Sequence, residues 1–131
     1  LPQALRLPGV EVSTSTRGAV ISLPEAGSFA PGRAELSLRA RDVMLELATE
    51  LQALPNQVRV EGHTDSDGSE RRNEELSQER AAAVVAYLVN RGIKLDRLNA
   101  VGYGARRPVA ANDTDENKAK NRRIEFTVKS N

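Results

Sequence analysis

The segment LSLRARDVMLELATELQALPNQVRVEG, residues 36–62, places a helical pattern directly before a strand pattern. Its apolar residues recur at spacings of three and four, as on one face of a helix; they are Leu36, Ala40, Val43, Met44, Leu47, Leu51 and Leu54. Ser37 is placed to cap the N-terminus of this helix, and Pro55 stops it. Residues 58–61 then alternate between valine and a charged residue, which predicts a half-buried strand.

On the N-terminal side of this segment, the sequence predicts strands and loops. Residues 10–12 and 19–23 are short β-prone runs, and they predict a strand pair or one interrupted strand. Residues 24–33 are rich in proline, glycine and alanine and predict a loop. Residues 1–9 hold two prolines and a glycine. We therefore expect a linker or N-terminal arm there, and a single domain over residues 10–131.

On the C-terminal side, the sequence predicts a second helix, two further strands and a short helix between them. Asn73 is expected to cap the second helix, and Gly92 to end it. Its buried stripe is Ala81, Val84, Val85 and Leu88. Residues 98–101 predict a strand, and the polar stretch 112–120 leaves room for one short helix. Apolar and polar residues alternate over 124–128, which predicts the last strand.

This order of elements indicates an α+β domain. We expect a two-layer sandwich in which helices pack on one face of a mixed four-stranded β-sheet, in the order βαβαβ(α)β. A chain of 131 residues is long enough to bury a real core. Aromatic residues are only 3% of the chain, so this core must be built from Leu, Val, Ile and Ala.

The composition limits the classes of partner. The formal net charge is +1, so no long-range field favours nucleic acid or an anionic membrane. Three arginine pairs lack the aromatic residues that stack on bases, and we expect no nucleic-acid partner. No apolar run reaches the roughly 18 residues that a membrane-spanning helix needs. Because the chain begins at Leu1, we expect a piece of a longer protein, whose other parts make any membrane contact.

The residues best placed for chemistry follow the central strand. EGHTD, residues 61–65, leaves the strand end, and NEELSQERA, residues 73–81, opens the next helix. Ligands often bind where a strand-end loop faces a helix start. Arg80 lies at the edge of the apolar stripe, from where its guanidinium can point at the loop. We expect Asp65 and Arg80 to face each other across a small cleft. The structural alternatives are that Asp65 caps backbone amides and that Arg80 pairs with Glu61 or Asp65.

Four motifs carry a resemblance to a known family. They are HTD; Asn73-x-x-Leu76-Ser77-x-x-Arg80-Ala81; Gly102-Tyr103-Gly104 with Pro108; and Asn121-Arg122-Arg123. In this order and spacing they resemble the signature of OmpA-like C-terminal domains, which occur in outer-membrane protein A, the peptidoglycan-associated lipoprotein and the flagellar stator protein MotB. The resemblance runs from about Arg17 to Val128. The short 65–73 loop resembles the outer-membrane and lipoprotein members, whereas residues 20–36 resemble the stators, so the parent protein stays open.

The resemblance implies a non-catalytic domain that binds peptidoglycan in the periplasm. In this family the two residues that match Asp65 and Arg80 hold diaminopimelate of the stem peptide. The free end of diaminopimelate is zwitterionic, so a carboxylate suits its ammonium and the guanidinium fork suits its carboxylate. Thr64, Leu76, Asn121 and Arg123 are expected to line the same pocket. The parent protein is expected to be anchored in the inner or outer membrane, and a homodimer is a possible assembly.

Other functions receive less support from the residues. His63 is the single histidine and cysteine is absent, so the sequence does not complete a zinc site. The acidic runs at 65–69 and 113–117 lack the glycine of a calcium-binding EF-hand loop. We expect no metal and no cofactor. The alternatives are a peptidoglycan-processing enzyme, which needs paired carboxylates or zinc, and a protein-interaction domain of the same fold that has lost the ligand.

Overall fold

The computed structural model describes residues 10–130, so the arm expected at residues 1–9 lies outside the described residues. The described chain forms β1 (Glu11–Ser15), β2 (Gly18–Pro24), α1 (Leu38–Gln52), β3 (Val58–His63), α2 (Glu70–Asn90), β4 (Leu98–Gly102), α3 (Asp115–Asn121) and β5 (Arg123–Lys129). A 3-10 turn, Leu95–Arg97, leads into β4. The predicted α+β class is confirmed.

The strands form one mixed sheet in the order β1-β2-β5-β3-β4. β3 and β4 are parallel, and the other neighbours are antiparallel. The prediction of four strands is wrong, because residues 11–24 form a hairpin of two strands and not one interrupted strand. Gly18 follows the turn with a φ of 138°, a conformation that glycine adopts readily. A side chain there would also collide with the carbonyl of Val128 on the neighbouring strand.

Alternation along the strands gives the sheet two different faces. The helix side is apolar and lies under α1 and α2, and the opposite side, which we call the outer face, carries polar and charged residues. Several core side chains have no exposed surface, among them Met44, Leu51, Val60, Leu88 and Phe126. Truncation of such a buried phenylalanine to alanine costs about 3–5 kcal/mol, so this layer fixes the arrangement of sheet and helices.

The helix ends only partly match the predictions. Ser37 caps α1, since its hydroxyl accepts from the Ala40 amide at 3.0 Å. The prediction that Asn73 caps α2 is wrong. The helix begins one turn earlier and is capped by Ser69, whose hydroxyl accepts from the Arg72 amide at 3.1 Å. The polar loop therefore ends at Gly68, and Asn73 is free to bind that loop with its side chain.

Two glycines bring the start of α2 close to the sheet. Gly62 and Gly102 are partners in the parallel pair β3–β4. A Cβ atom at either position would collide with the α2 backbone at Ser77 or Gln78. Ser77 is fully buried at this contact, and its hydroxyl accepts from the Gly104 amide at 2.9 Å. This close approach places the first turns of α2 beside the ends of β3 and β4.

Candidate functional site

The loop after β3 is held by Asn73. The side-chain amide of Asn73 donates to the carbonyl oxygens of Asp65 and Asp67, at 3.3 and 2.9 Å. The Asp65 Oδ1 atom accepts from the Asp67 amide at 2.9 Å. One oxygen of Asp65 thus binds a backbone amide, as the structural alternative proposes, and Oδ2 is left for another partner.

Arg80 is buried, with 3% of its side chain exposed, and its nitrogens donate to the loop between β2 and α1. Nε donates to the Arg33 carbonyl at 2.8 Å, and Nη2 to the Ala30 carbonyl at 3.2 Å. Nη1 donates to Glu25 Oε2 at 2.6 Å. The guanidinium carbon also lies 4.8 Å from the centre of the Phe29 ring, a cation–π contact. This one loop therefore fixes the position of the guanidinium.

Arg122 connects Glu25 to Asp65. Its Nη1 donates to Asp65 Oδ2 at 2.6 Å, and its Nε lies 3.3 Å from Glu25 Oε1. The four side chains form a row of alternating charge, Arg80–Glu25–Arg122–Asp65, which we call the arginine–carboxylate chain. Asp65 and Arg80 are therefore linked through Glu25 and Arg122, and do not face each other across an open cleft. The ion-pair partner of Arg80 is Glu25 and not Glu61 or Asp65.

Solvent reaches the arginine–carboxylate chain mainly at its middle. The exposed fraction of the side chain is 33% for Arg122 and 15% for Glu25, against 10% for Asp65 and 3% for Arg80. The hydrogen bond to Asp65 raises the pKa of Arg122 above its ordinary value, against the opposing effect of burial. The row holds two positive and two negative groups and is neutral in total. A ligand that reaches Asp65 or Arg80 must first displace Arg122 or Glu25.

Thr64 and Leu76, two of the expected pocket residues, flank this row. The Thr64 hydroxyl donates to the Asp65 carbonyl at 2.8 Å, and its amide donates to the Gly104 carbonyl at 2.9 Å. Leu76 lies one helical turn before Arg80, on the same face of α2, and is buried. Both are placed beside the groups that a ligand would contact.

Asn121, a third expected pocket residue, is fully buried. Its side-chain oxygen accepts from the amides of Val109 and Ala110, at 2.7 and 3.0 Å. Its nitrogen donates to the Ala110 carbonyl and to Asn112, both at 2.9 Å. All four hydrogen-bonding capacities are used within the protein, so Asn121 fixes the loop after β4.

Arg123, the fourth, points to the outer face. Its Nε donates to Glu125 at 2.6 Å, and its Nη atoms donate to the carbonyls of Asn121 and Arg107. The structure brings Asp65 and Arg80 into one network but places Arg123 on the other side of the sheet. Its chain neighbour Arg122 takes the position beside Asp65.

Glu25 and Arg122 are not among the site residues predicted from the sequence. A signal for Arg122 was present, because side chains along a strand alternate between faces. Arg122 has the parity of Ile124 and Phe126, whose side chains enter the core, whereas Arg123 has the parity of Glu125. Glu25 had no comparable signal, since it lies in an irregular loop and reaches Arg80 across 55 positions of sequence.

A second group of charges lies on the outer face, and we call Glu61, His63, Arg123 and Glu125 the outer-face cluster. His63 Nε2 lies 3.2 Å from Glu61 Oε1, and its ring stacks on Tyr103 with centroids 5.4 Å apart. Burial raises the pKa of Glu61. The hydrogen bond and charge of His63, then the charges of two nearby arginines, outweigh that effect, so the pKa lies below its ordinary value.

The outer-face cluster also bears on the question of a metal. Glu61, His63 and Glu125 offer three ligand atoms within 4.8 Å of one another. This grouping has no signal in the sequence, because Glu61 and Glu125 meet only as cross-strand partners. Arg59 lies 3.9 Å from Glu61 and Arg123 lies 2.6 Å from Glu125. These guanidinium groups already supply positive charge, which disfavours a cation. The absence of a metal stays a prediction.

The comparisons with known proteins identify the family. A family model described as the OmpA family matches residues 28–122. The chain belongs to the OmpA family. It is 40% identical, over 82% of its length, to the peptidoglycan-binding protein ArfA of Mycobacterium tuberculosis. Its structure resembles the cell wall anchor of the T6SS from Pseudomonas aeruginosa, with a TM-score of 0.84, 31% identity, and coverage of 94% of this chain and 89% of that one.

A further relative of this OmpA-family domain is the periplasmic domain of Helicobacter pylori MotB. The TM-score is 0.83 and the identity 25%, with 94% of this chain and 83% of that chain covered. The chain spans 34% to 59% of the length of three curated relatives that it matches, 34% in the case of ArfA. Within residues 10–130, no helix is both long enough and apolar enough to cross a membrane.

Proposed function

We propose that this OmpA-family domain binds peptidoglycan non-covalently and anchors a larger envelope protein to the cell wall. The observation that carries the proposal is the arginine–carboxylate chain. Its two ends are a buried guanidinium, Arg80, and a buried carboxylate, Asp65. The Glu25–Arg122 ion pair lies between them, where solvent can reach it. The names of the relatives described as a peptidoglycan-binding protein and as a cell wall anchor support the same conclusion.

The ligand group that fits is the zwitterionic end of diaminopimelate in the stem peptide. Its carboxylate would replace Glu25 at the Arg80 fork, and its ammonium would replace Arg122 at Asp65. In this exchange an anion of the ligand replaces an anion of the protein, and a cation replaces a cation. Arg80 and Asp65 therefore each keep a partner of opposite charge. Glu25 and Arg122 thus occupy the site in the free domain as a stand-in for the ligand.

The other expected residues receive different parts in this proposal. Thr64 and Leu76 line the pocket, since they lie beside Asp65 and Arg80. Asn121 supports the pocket from behind, through the loop after β4 and through the position of Arg122 next to it. Arg123 supports the same loop by its bond to the Arg107 carbonyl. We propose that neither Asn121 nor Arg123 touches the ligand.

The proposed role is binding without chemistry, with no metal and no cofactor. Glu61 and Glu125 are the two carboxylates that most resemble a catalytic pair. They lie on the outer face, with Arg59 and Arg123 beside them. Peptidoglycan lies outside the inner membrane, so we place the domain in the periplasm. A membrane anchor in either membrane would belong to another part of the parent protein.

The test is sedimentation with purified sacculi that contain diaminopimelate. Wild-type protein should pellet and release no soluble muropeptides, and EDTA should change neither result. Asp65→Asn keeps the acceptor for the Asp67 amide but removes the charge. Loss of one partner from a buried charge pair costs about 2–5 kcal/mol, so binding should weaken by roughly 30-fold to several thousand-fold. Sacculi with lysine in place of diaminopimelate lack the side-chain carboxylate and should bind wild type poorly.

The matched control is Arg72→Gln. Arg72 is on the same helix, and its ion pair with Glu79 is exposed, at 50% and 53% of the two side chains. Exposed ion pairs contribute little free energy, so the affinity of this variant for sacculi should be within about threefold of that of wild type. If Asp65→Asn folds and also binds that well, the ligand site lies elsewhere. Release of muropeptides in proportion to protein concentration would show an enzyme.

A further inference from the structure

The end of the sheet opposite the arginine–carboxylate chain carries a second pocket, of about 340 Å³, on the outer face. Its lining is basic and rich in hydroxyl groups: Thr16, Arg17, Arg59, Thr127, Lys129 and Ser130. We call it the basic pocket. Arg59 lies four positions before His63, which is at the end of β3 beside the arginine–carboxylate chain, a distance of roughly 13 Å. The basic pocket is therefore distinct from the proposed peptidoglycan site.

The strand register builds this pocket from three neighbouring strands. Arg59 of β3 and Thr127 of β5 are direct cross-strand partners. Lys129 pairs with Gly18, which places Arg17 and the turn between β1 and β2 at the same end of the sheet as Arg59 and Thr127. The Ser130 amide donates to the Arg17 carbonyl at 3.0 Å and holds this turn against the end of β5. The basic side chains thus converge because the backbone is fixed.

The basic pocket has more hydrogen-bond donors than acceptors. Thr127 is 2% exposed, and its hydroxyl has no partner among the described residues; the same holds for the buried Nε of Arg59. Buried polar groups in folded proteins nearly always have a partner. Within residues 10–130, no hydrogen bond or close ion pair engages the guanidinium of Arg17 or the ammonium of Lys129. Their exposed side chains can move to admit a ligand to the groups beneath.

Positive charge exceeds negative charge around the basic pocket. Three cationic side chains line the basic pocket, and no carboxylate is among its lining residues within 10–130; Glu61 lies 3.9 Å from Arg59. Arg59 Nη1 also donates to the Tyr103 hydroxyl at 3.4 Å, so only part of this guanidinium is engaged. Although burial raises the pKa of Glu61, the charges of Arg17 and Arg59 add to the effect of His63 and hold it below its ordinary value. The arginine–carboxylate chain, by contrast, is balanced.

We propose that the basic pocket binds the phosphate group of a phosphate monoester or diester. Two guanidinium groups, an ammonium and several hydroxyls surround one small space, and a tetrahedral oxyanion offers enough acceptors for them. A carboxylate offers only two oxygens. The forks of Arg17 and Arg59 favour bidentate contact with phosphate oxygens. The phosphate can come from a soluble ester or from a lipid headgroup, and the two sources are separated by experiment.

The test is an NMR titration of the domain with inorganic phosphate and with glycerol 3-phosphate. Amide shifts should saturate and be confined to the residues of the basic pocket, and added salt should weaken the affinity. The double variant Arg17→Gln with Lys129→Gln removes two exposed cations and should weaken binding about tenfold or more. Lys94→Gln removes an exposed lysine outside the pocket and should bind as wild type does.

A second variant separates binding from folding. Thr127→Val preserves the shape of the side chain and removes a buried hydroxyl that has no partner, so thermal stability should be kept or raised. Phosphate affinity should nevertheless fall. Shifts that do not saturate, or equal affinities for the double variant and Lys94→Gln, would overturn the proposal.

Vesicles identify the source of the phosphate. Sedimentation with phosphatidylcholine vesicles, with and without phosphatidylglycerol, should show binding that needs the anionic lipid and the Arg17–Lys129 pair if the source is a headgroup. Binding of glycerol 3-phosphate without vesicle binding assigns a soluble ester. Asp65→Asn should leave all these results unchanged, so the proposal for the basic pocket and the proposal for the peptidoglycan site can fail independently.

Discussion

Two groups of charged side chains lie at the same end of the sheet, on its two faces, and they are built differently. In the arginine–carboxylate chain, each charge has a partner of opposite sign at 2.6 to 3.3 Å. In the outer-face cluster, Glu61 Oε2 and His63 Nδ1 are buried without a hydrogen-bond partner among the described residues. Tyr103 covers His63, and the guanidinium of Arg107 lies 4.2 Å above the Tyr103 ring.

The difference shows which group can exchange its partners. The arginine–carboxylate chain is open to solvent in its middle, and a zwitterionic ligand can restore every ion pair that it breaks. In the outer-face cluster, Tyr103 covers His63, Glu61 is 3% exposed, and the carboxylates bind arginines and His63 of the sheet itself. We therefore expect buried arginines and carboxylates to form a binding site only where the bridging pair can leave. Three variants test this contrast.

The largest effect is expected from Arg80→Ala. This change leaves Glu25 and two backbone carbonyls without their buried partner. Removal of one member of a buried ion pair costs about 3–5 kcal/mol, so the free energy of unfolding in urea should fall by that amount. Arg72→Ala is the control and should cost below about 1 kcal/mol, because its ion pair is exposed. Equal losses would show that the guanidinium of Arg80 contributes no more than a surface charge.

A smaller effect is expected from Glu61→Gln in the outer-face cluster. Loss of a buried charged hydrogen bond should lower the free energy of unfolding at neutral pH by about 1–3 kcal/mol. The pKa of Glu61 in the folded domain is below the ordinary value of 4.5. Its contribution to stability is therefore present above pH 4.5 and is lost as the pH falls through the lower folded pKa.

The free energy of unfolding of Glu61→Gln should accordingly depend less on pH in this acid range than that of wild type. Chemical unfolding at a series of pH values measures the difference, with Glu79→Gln as an exposed control. Wall binding should be unchanged, since Glu61 lies outside the arginine–carboxylate chain. A variant with the full acid dependence of wild type would show that Glu61 has no part in it.

The smallest effect is expected from Glu25→Gln, and it is a gain. Without its charge, Glu25 competes less with the ligand carboxylate for Arg80. The glutamine oxygen can still accept from Arg80, so this change removes only the charge of a carboxylate that is 15% exposed. That charge contributes about 1 kcal/mol, so sacculus binding should tighten roughly fivefold. Sedimentation at a series of sacculus concentrations measures the change. Weaker binding of the folded variant would mean that the Glu25 carboxylate itself contacts the ligand.

The predictions from sequence succeeded where local patterns are strong and failed where partners are distant. The Ser37 cap and the apolar stripe of α1 from Ala40 to Leu51 are local features, and both are confirmed, whereas Leu36 and Leu54 lie outside the helix. The sequence favours Asn73 as the cap of α2 because asparagine suits that role, but Ser69 suits it too and follows a glycine turn. The sequence does not separate a β1–β2 hairpin from one interrupted strand, because the polar residues of this region give a weak strand pattern.

Sequence alone predicted both long helices and the strands that follow them and, through four motifs, the family; its assignment of Asp65 and Arg80 as the binding pair stays a prediction. It did so because the spacing of residues on one element is set by local geometry. Only the tertiary structure decided which charges meet. Glu25 reaches Arg80 from an irregular loop, and Arg122, not Arg123, reaches Asp65. The physical reason is that the two neighbours lie on opposite faces of a sheet, and the chosen partner depends on strand pairing across 57 positions of sequence.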